Sequence, residues 1–184
     1  NKTRKENKML KLEVLEGRIT PASFLSGTTL LVTVDGPTGP GNAHTVSVDS
    51  VAGQVQVTQD NQVSLFPTAA VTSIVVIGDS NDKNVIQNNT SINSTLLGGN
   101  KDDTIFGGSG QNTILTGNGK DVAYALLGVN TIDVGNGGKD MVFTNIGAMV
   151  SSDKQDLVVR FFGTGRTPGT PFIGFDNTLN DGVL

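Results

Sequence analysis

Between residues 79 and 143, seven short units each carry an oxygen-bearing side chain at the same place: Asn84, Ser94, Asp103, Asn112, Asp121, Asn130 and Asp140. Oxygen is the donor that hard cations take, and calcium gathers six to eight such atoms from carboxylates, amides and carbonyls. Other chemistry is poorly supplied. Without cysteine there is no disulfide scaffold, no thiolate metal site and no thiol nucleophile. His44 is the only histidine, so a His–His metal pair is excluded, and its place among alternating strand residues predicts a surface or packed side chain. No GxSxG turn presents a serine nucleophile. Asp35, Asp49 and Asp60 read as turn residues rather than as a pair for glycoside hydrolysis.

Turns and very short strands must position these oxygens. The units run Asp79–Gln87, Asn88–Leu97, Gly98–Phe106, Gly107–Leu115, Thr116–Tyr124, Ala125–Asp133 and Gly135–Phe143, with Val134 inserted before the last. Each opens on Gly, Asn, Asp and Ser, residues that accept tight turns and positive φ cheaply. Each closes on a three-residue strand whose middle position points inward: Ile86, Leu96, Ile105, Ile114, Ala123, Ile132 and Val142. One unit buries one aliphatic side chain and cannot fold alone, whereas stacked units bury a continuous ladder. At roughly 25 cal/mol per Å2 of apolar area, that ladder contributes on the order of 10 kcal/mol before entropy. Flanking strands must therefore close its ends.

Units such as Gly98-Gly99-Asn100-Lys101-Asp102-Asp103-Thr104-Ile105-Phe106 resemble the calcium-binding nonapeptide of RTX, or haemolysin-type, repeats, whose pattern is GGxGxDxUx with U apolar. The resemblance implies a parallel β-roll with two units per coil, with calcium between successive turns, held by the unit's aspartate and by turn carbonyls. Alternate units are then neighbours. One edge carries Asn84, Asp103, Asp121 and Asp140, and the other carries Ser94, Asn112 and Asn130. Stacked carboxylates one coil apart, about 4.8 Å, repel unless neutralised. Two arrangements answer that. Calcium could be bracketed by Asp103 with Asp121 and by Asp121 with Asp140, using carbonyls of the Asn100, Asn118 and Asn136 turns. Alternatively Lys101, Lys120 and Lys139 offset the charge. Neutral Asn residues on the opposite edge can form an amide ladder without metal.

The rest of the chain is read around this roll. Glycine supplies 24 of 184 residues, and beyond Arg18 seven basic groups face 14 acids, all of them Asp, giving that part a net charge of −7. Such a composition favours strands and turns over helix. Expected strands are Thr29–Val34, His44–Asp49, Gln54–Gln59, Val63–Phe66 and Val71–Ile77, with Gly36–Gly41 as a loop. Leu10, Leu12 and Val14 alternate with charged residues as in a half-buried strand, with a short helix the alternative on propensity, and residues 1–9 read as a basic tail rather than a nucleic-acid arm. Leu12–Ala22 resembles the "LEVLEDRxTPA" opening of exported planctomycete-type surface proteins, with Gly17 where that pattern has Asp. Val71–Asp79 resembles their lead-in to repeats. Both imply an extracellular or cell-surface protein. No apolar h-region of a secretory signal is present, which leaves a removed signal or another export route.

Half of the eight Phe residues lie near the end, at Phe161, Phe162, Phe172 and Phe175. Asp156–Phe162 reads as a strand, Gly163–Pro171 as a loop and Phe172–Phe175 as a further strand, together an aromatic cap or a sticky end. Thr104, Thr113 and Thr131 read as an outward column broken by Val122 and Met141. The expectation is an all-β chain: residues 1–27 a tail and edge strand, 28–78 a strand-rich entry, 79–143 the nonapeptide β-roll, and 144–184 a cap or assembly segment. The function expected is that of an exported structural protein, calcium-stabilised and self-associating through its ends. It has no membrane span and no nucleic-acid partner. Alternatives are an adhesin module recognising glycan or ice, possible partners including cell-surface polysaccharide, and a fragment of a solenoid polysaccharide-degrading enzyme.

Overall fold

The computed structural model describes residues 22–36 and 43–161. Several readings lie outside the described residues: the basic tail, the Leu10–Val14 alternation, the export-type opening, most of the Gly36–Gly41 loop, Phe162, the Gly163–Pro171 loop and the Phe172–Phe175 strand. What is described is all β apart from one 3-10 turn, Thr68–Ala70. The entry strands are β1 (Ala22–Ser26), β2 (Thr29–Thr33), β3 (Ala43–Val51), β4 (Gln54–Gln59), β5 (Gln62–Pro67) and β6 (Ser73–Ile77). The repeats follow as β7 (Lys83–Asn88), β8 (Asn93–Gly99), β9 (Thr104–Phe106), β10 (Asn112–Gly117) and β11 (Val122–Ala125). The last are β12 (Asn130–Asp133), β13 (Met141–Asn145), β14 (Met149–Ser151) and β15 (Leu157–Phe161).

From β6 onward consecutive strands alternate between two sheets. One sheet runs β1-β2-β6-β8-β10-β12-β14 and the other β15-β13-β11-β9-β7-β3-β4-β5. Five laps of parallel solenoid result, each passing once through either sheet. Register holds like against like: Leu96, Ile114 and Ile132 pair in series on one sheet, and Ile86, Ile105, Ala123 and Val142 on the other. All seven ladder residues are at most 1% exposed, so the predicted inward position is the core of the roll. Val134, the inserted residue, is buried too.

The entry end is built differently. β2 and β3 add to the two sheets in parallel, while β1, β4 and β5 extend them by antiparallel hairpins. Two of those hairpins turn on residue pairs with positive φ, Ala52 (48°) with Gly53 (79°) and Asp60 (45°) with Asn61 (71°). This is the geometry whose twist matches paired strands. Placing the first turn at Ala52–Gly53 carries β3 past Asp49, which corrects the reading of Asp49 as a turn residue. It lies within the strand and accepts hydrogen bonds from Ser47 (2.6 Å) and Asn89 (2.8 Å).

The outward threonine column also needs correction. Because strands alternate between sheets, Thr113 and Thr131 align with Thr95, whereas Thr104 sits on the opposite sheet beside Val122. On that second sheet an aromatic file runs outside the roll. Phe106 stacks on Tyr124 (4.7 Å between centroids, 6° between planes), and Tyr124 on Phe143 (4.9 Å, 9°). Phe161 meets Phe143 at 6.5 Å and 31°, because Val159 holds the position in register with Phe143 and Phe161 reaches over from two residues on. Among the described residues no helix is long and apolar enough to cross a membrane.

The two faces of β10 give opposite expectations. Ile114→Ala removes a fully buried side chain and should cost about 2–5 kcal/mol. Thr113→Val, on the exposed face, should change stability by no more than about 0.5 kcal/mol. Urea denaturation measures both, and equal losses would contradict the inward ladder.

Candidate metal edge of the solenoid

The laps close through two columns of turns. At one edge the chain passes from the first sheet to the second, and the residue ending each turn is Asn84, Asp103, Asp121 or Asp140. At the other it returns, ending at Ser94, Asn112 or Asn130. Strand register brings each set into one file: Asn112 pairs with both Ser94 and Asn130. In the acidic file each carboxylate receives the main-chain N–H of its counterpart one lap earlier. Asp103 Oδ1 accepts from Asn84 (2.7 Å), Asp121 Oδ1 from Asp103 (2.7 Å) and Asp140 Oδ1 from Asp121 (2.7 Å). All members of both files are buried.

The neutral edge shows what such a turn needs. Asn112 accepts from Ser94 Oγ (2.8 Å) and from the Gly108 N–H through Oδ1. Its Nδ2 donates to the carbonyls of Gly108 (2.9 Å) and Gly110 (3.0 Å) and to Asn130 Oδ1 (2.8 Å). Asn130 repeats the pattern, donating to the carbonyls of Ala125 and Leu127. The amide N–H groups thus hold together the carbonyls that each turn directs inward.

An aspartate has no such donor. Oδ2 of Asp103 and Oδ2 of Asp121 are buried and have no hydrogen-bond partner among the described residues. Glycine gives the file room on the carbonyl side. A Cβ on Gly98 would fall 2.5 Å from Asp103 Oδ2 and collide with the Thr116 carbonyl, and one on Gly119 would fall 2.5 Å from the Lys101 carbonyl and 2.9 Å from Asp121 Oδ1. Each cradle gathers a main-chain carbonyl and a carboxylate oxygen, which suits a hard cation. Burial pushes the Asp103 carboxyl up to about 7 from the usual 3.8, with repulsion from Asp121 and Asp102 adding to it, against hydrogen bonds from Asn84. Asp121 and Asp140 are also raised, chiefly by burial.

The lysines do not take the cation's place. Lys101, Lys120 and Lys139 are exposed, and the one Lys–carboxylate pair among the described residues joins Lys83 to Asp102 (2.8 Å), one residue before the file. The side chains of Asn100 and Asn118 are exposed on the outside of their turns, where the Asn118 amide donates to Asn100 Oδ1 (2.9 Å), and Asn136 is exposed in the equivalent turn. Any contribution of these three to a site is through main-chain carbonyls. Asn84 belongs to the file, but its amide is engaged. Oδ1 accepts the Asp79 N–H, while Nδ2 donates to the carbonyls of Asp79 and Asp82 and to Asp103 Oδ1.

Two members of the file escape a sequence reading. Asp156 ends it, accepting the Asp140 N–H on Oδ1 (3.0 Å) and the Asp153 N–H on Oδ2 (2.7 Å). His44 heads it, in register with Asn84. Of the surface or packed side chain expected there, the packed form is found, 3% exposed, with Nδ1 at 2.7 Å from Asp60 Oδ2 and Nε2 at 3.0 Å from the Gly36 carbonyl. Burial lowers the imidazole pKa, but the hydrogen bond and charge of Asp60, with smaller help from Gly36 and Asp79, outweigh it and the net shift is upward. Asp60 lies 16 residues away across a hairpin, so only the β3–β4 pairing reveals the contact.

Residues 90–123 and 97–132 match the RTX calcium-binding nonapeptide repeat, a family pattern of four copies. The repeats over residues 90–132 are therefore of the RTX kind. Comparison with curated proteins and with solved structures found no match.

Without calcium the raised carboxyls set a pH dependence. Between the unfolded value near 3.8 and the folded value near 7, the native Asp103 holds more proton than the unfolded chain, so stability falls as pH rises through that window. One pKa unit corresponds to about 1.4 kcal/mol, so the loss is several kcal/mol. Urea midpoints in calcium-free buffer should be lower at pH 8 than at pH 5, and Asp103→Asn should flatten the difference. A metal-free midpoint that rises over this range would contradict the burial of an unpartnered carboxylate.

Proposed function

We propose that this chain is a calcium-stabilised structural module of the cell surface or extracellular matrix, whose RTX repeats complete their fold where calcium is abundant. The observation that carries this reading is the pair of buried carboxylate oxygens, Asp103 Oδ2 and Asp121 Oδ2, that have no hydrogen-bond partner among the described residues. Calcium would be held by the carboxylates of Asp103, Asp121 and Asp140 together with carbonyls of the turns that contain Asn100, Asn118 and Asn136. The cradles beside Gly98 and Gly119 point to the Thr116 and Lys101 carbonyls among them. Asn84 would border the first site and close the file above it. The ion supplies positive charge and a flexible oxygen shell. The chain supplies a fixed stack of ligands, so binding selects the folded roll.

The role that follows is mechanical, with no chemical turnover. The strands outermost among the described residues support assembly: β1 and β5 at the entry with exposed Phe24, Val63 and Leu65, and β14 and β15 at the exit with exposed Met149 and Leu157. Unpaired edges invite strand addition, so head-to-tail stacking into fibres or a lattice is the self-association proposed. A second reading, an adhesive face for glycan or ice, rests on the in-register Thr95, Thr113 and Thr131. The aromatic file favours it less, because its rings spend their faces on one another and offer edges to a sugar.

Saturating calcium at about a hundred times its Kd should stabilise the fold by about 2.7 kcal/mol, raising Tm by roughly 5–10 °C for a chain of this size. Asp103→Asn and Asp121→Asn carry opposite signs in the two conditions. In chelator each should stabilise, since the new amide can donate to turn carbonyls as Asn112 does. In calcium each should lower Tm relative to the parent. Chelator and Asp121→Asn that both leave the midpoint in place would remove calcium from the reading. Electron microscopy in calcium should show end-to-end assemblies, and monomers at every concentration would remove the fibre.

A further inference from the structure

Ahead of the repeats, a second set of metal-ligating groups converges on the histidine that heads the acidic file. His44 Nε2 lies 3.9 Å from Asp79 Oδ2 and 3.8 Å from Asp82 Oδ2, and the ligand atoms of these three residues are all within 4.8 Å of one another. The Gly36 carbonyl, at 3.0 Å, completes a ring of three oxygens around the outward N–H of the imidazole. The chemistry of this cluster differs from that of the turns, because one donor is nitrogen.

We propose that His44 Nε2, Asp79, Asp82 and the Gly36 carbonyl form a site for a borderline divalent ion of the zinc type, separate from the calcium edge. A tetrahedral zinc ion, with bonds of about 2.0–2.2 Å, sets its ligand atoms about 3.3 Å apart. The observed 3.0, 3.8 and 3.9 Å bracket that value, so metal entry requires shifts of roughly half an ångström and exchange of the Nε2 proton for the ion. Nδ1 is already held by Asp60 Oδ2, and Asp60 is itself fixed by the Thr45 N–H on Oδ1 (2.8 Å). That is the carboxylate–histidine arrangement which sets the tautomer of a metal-bound imidazole. Asp79 is similarly braced, with the Asn81 N–H on Oδ1 (2.6 Å), which leaves Oδ2 turned towards the ring. Access exists as well: a solvent-open cavity of about 230 Å3, lined by Val34, Asp35, Gly78, Asp79, Ser80 and Asn81, opens beside the cluster. Calcium prefers all-oxygen shells of six or more donors, so an imidazole with two carboxylates and one carbonyl favours zinc even in abundant calcium.

The test uses the full chain in saturating calcium, with zinc alone as titrant in calorimetry and cobalt as a visible-absorbing surrogate. One equivalent of zinc should bind, and cobalt should give the intense ligand-field bands of a tetrahedral site. Asp82→Asn alters a partly exposed carboxylate and should weaken zinc at least tenfold. Asp60→Asn, which puts an amide against Nδ1, should weaken it about 10- to 100-fold. Both variants should keep the calcium-dependent rise in Tm, which certifies folding and separates this site from the calcium reading, and Asp103→Asn should leave zinc affinity unchanged. The proposal is overturned if no zinc binds, if binding survives both Asp82→Asn and His44→Gln, or if zinc affinity follows the loss of Asp103 instead.

Discussion

Every part of this molecule depends on the lap length that returns a residue onto its own counterpart. With 18 or 19 residues per lap through the central repeats, the N–H of Asp103 lands on the Asp121 carboxylate and that of Asp121 on Asp140. Repetition of this kind removes the freedom that a globular core has to place a complementary group beside each buried one. An inward isoleucine meets isoleucine, which is favourable, and a buried aspartate meets aspartate, which is not. The fold can keep an acidic file only if something other than the neighbouring lap neutralises it. Glycine enforces the close approach: a Cβ on Gly117, at φ +99°, would collide with the Gly99 carbonyl one lap back.

The two edges solve the same geometric problem with different chemistry. An asparagine amide brings its own N–H groups to the turn carbonyls, so the neutral edge is complete as soon as the chain folds. The carboxylate replaces those donors with a second acceptor, and the turn is complete only with a proton or a cation. Asn84 shows that the acidic edge can also be closed by an amide, because it sits in that file and bonds the Asp79 and Asp82 carbonyls as Asn112 bonds those of Gly108 and Gly110. The difference between edges is therefore set by single atoms. On the function proposed above, it makes one side of the roll permanently closed and the other responsive to its surroundings.

Much of this was legible in the residues because the repeat transmits local pattern directly into space. The seven aliphatic positions, the sorting of Asp from Asn between Asp103 and Asp140 and the strands of the entry segment follow from period and alternation, and the register pairs the aliphatic positions like with like. What escaped was whatever depends on pairing between distant or irregular pieces. His44 and Asp60 meet through the β3–β4 hairpin, Asp156 enters the file after a lap of 16 residues, and Asp49 lies in a strand because the turn falls three residues later. The misplaced Thr104 has a different origin: counting every unit as one column ignores that alternate strands face opposite ways. The lysines beside the aspartates suggested charge compensation in the chain's linear order, yet side chains before the file point outward, and among the described residues only Lys83 finds a carboxylate, that of Asp102.

The ends of the acidic file bear on how many ions the roll could take. At the head, His44 and Asn84 present N–H groups, and at the tail Asp156 receives main-chain N–H bonds on both oxygens. Among the described residues, the buried oxygens of the file that have no hydrogen-bond partner belong to the middle laps, at Asp103 and Asp121. Lengthening such a roll by whole laps would add donorless turns one at a time while the ends stayed the same. The demand for cations then scales with repeat number and is independent of the capping strands. On the function proposed above, a chain of this design fixes its response to calcium through the count of Asp laps, separately from the end strands that lie outside the file.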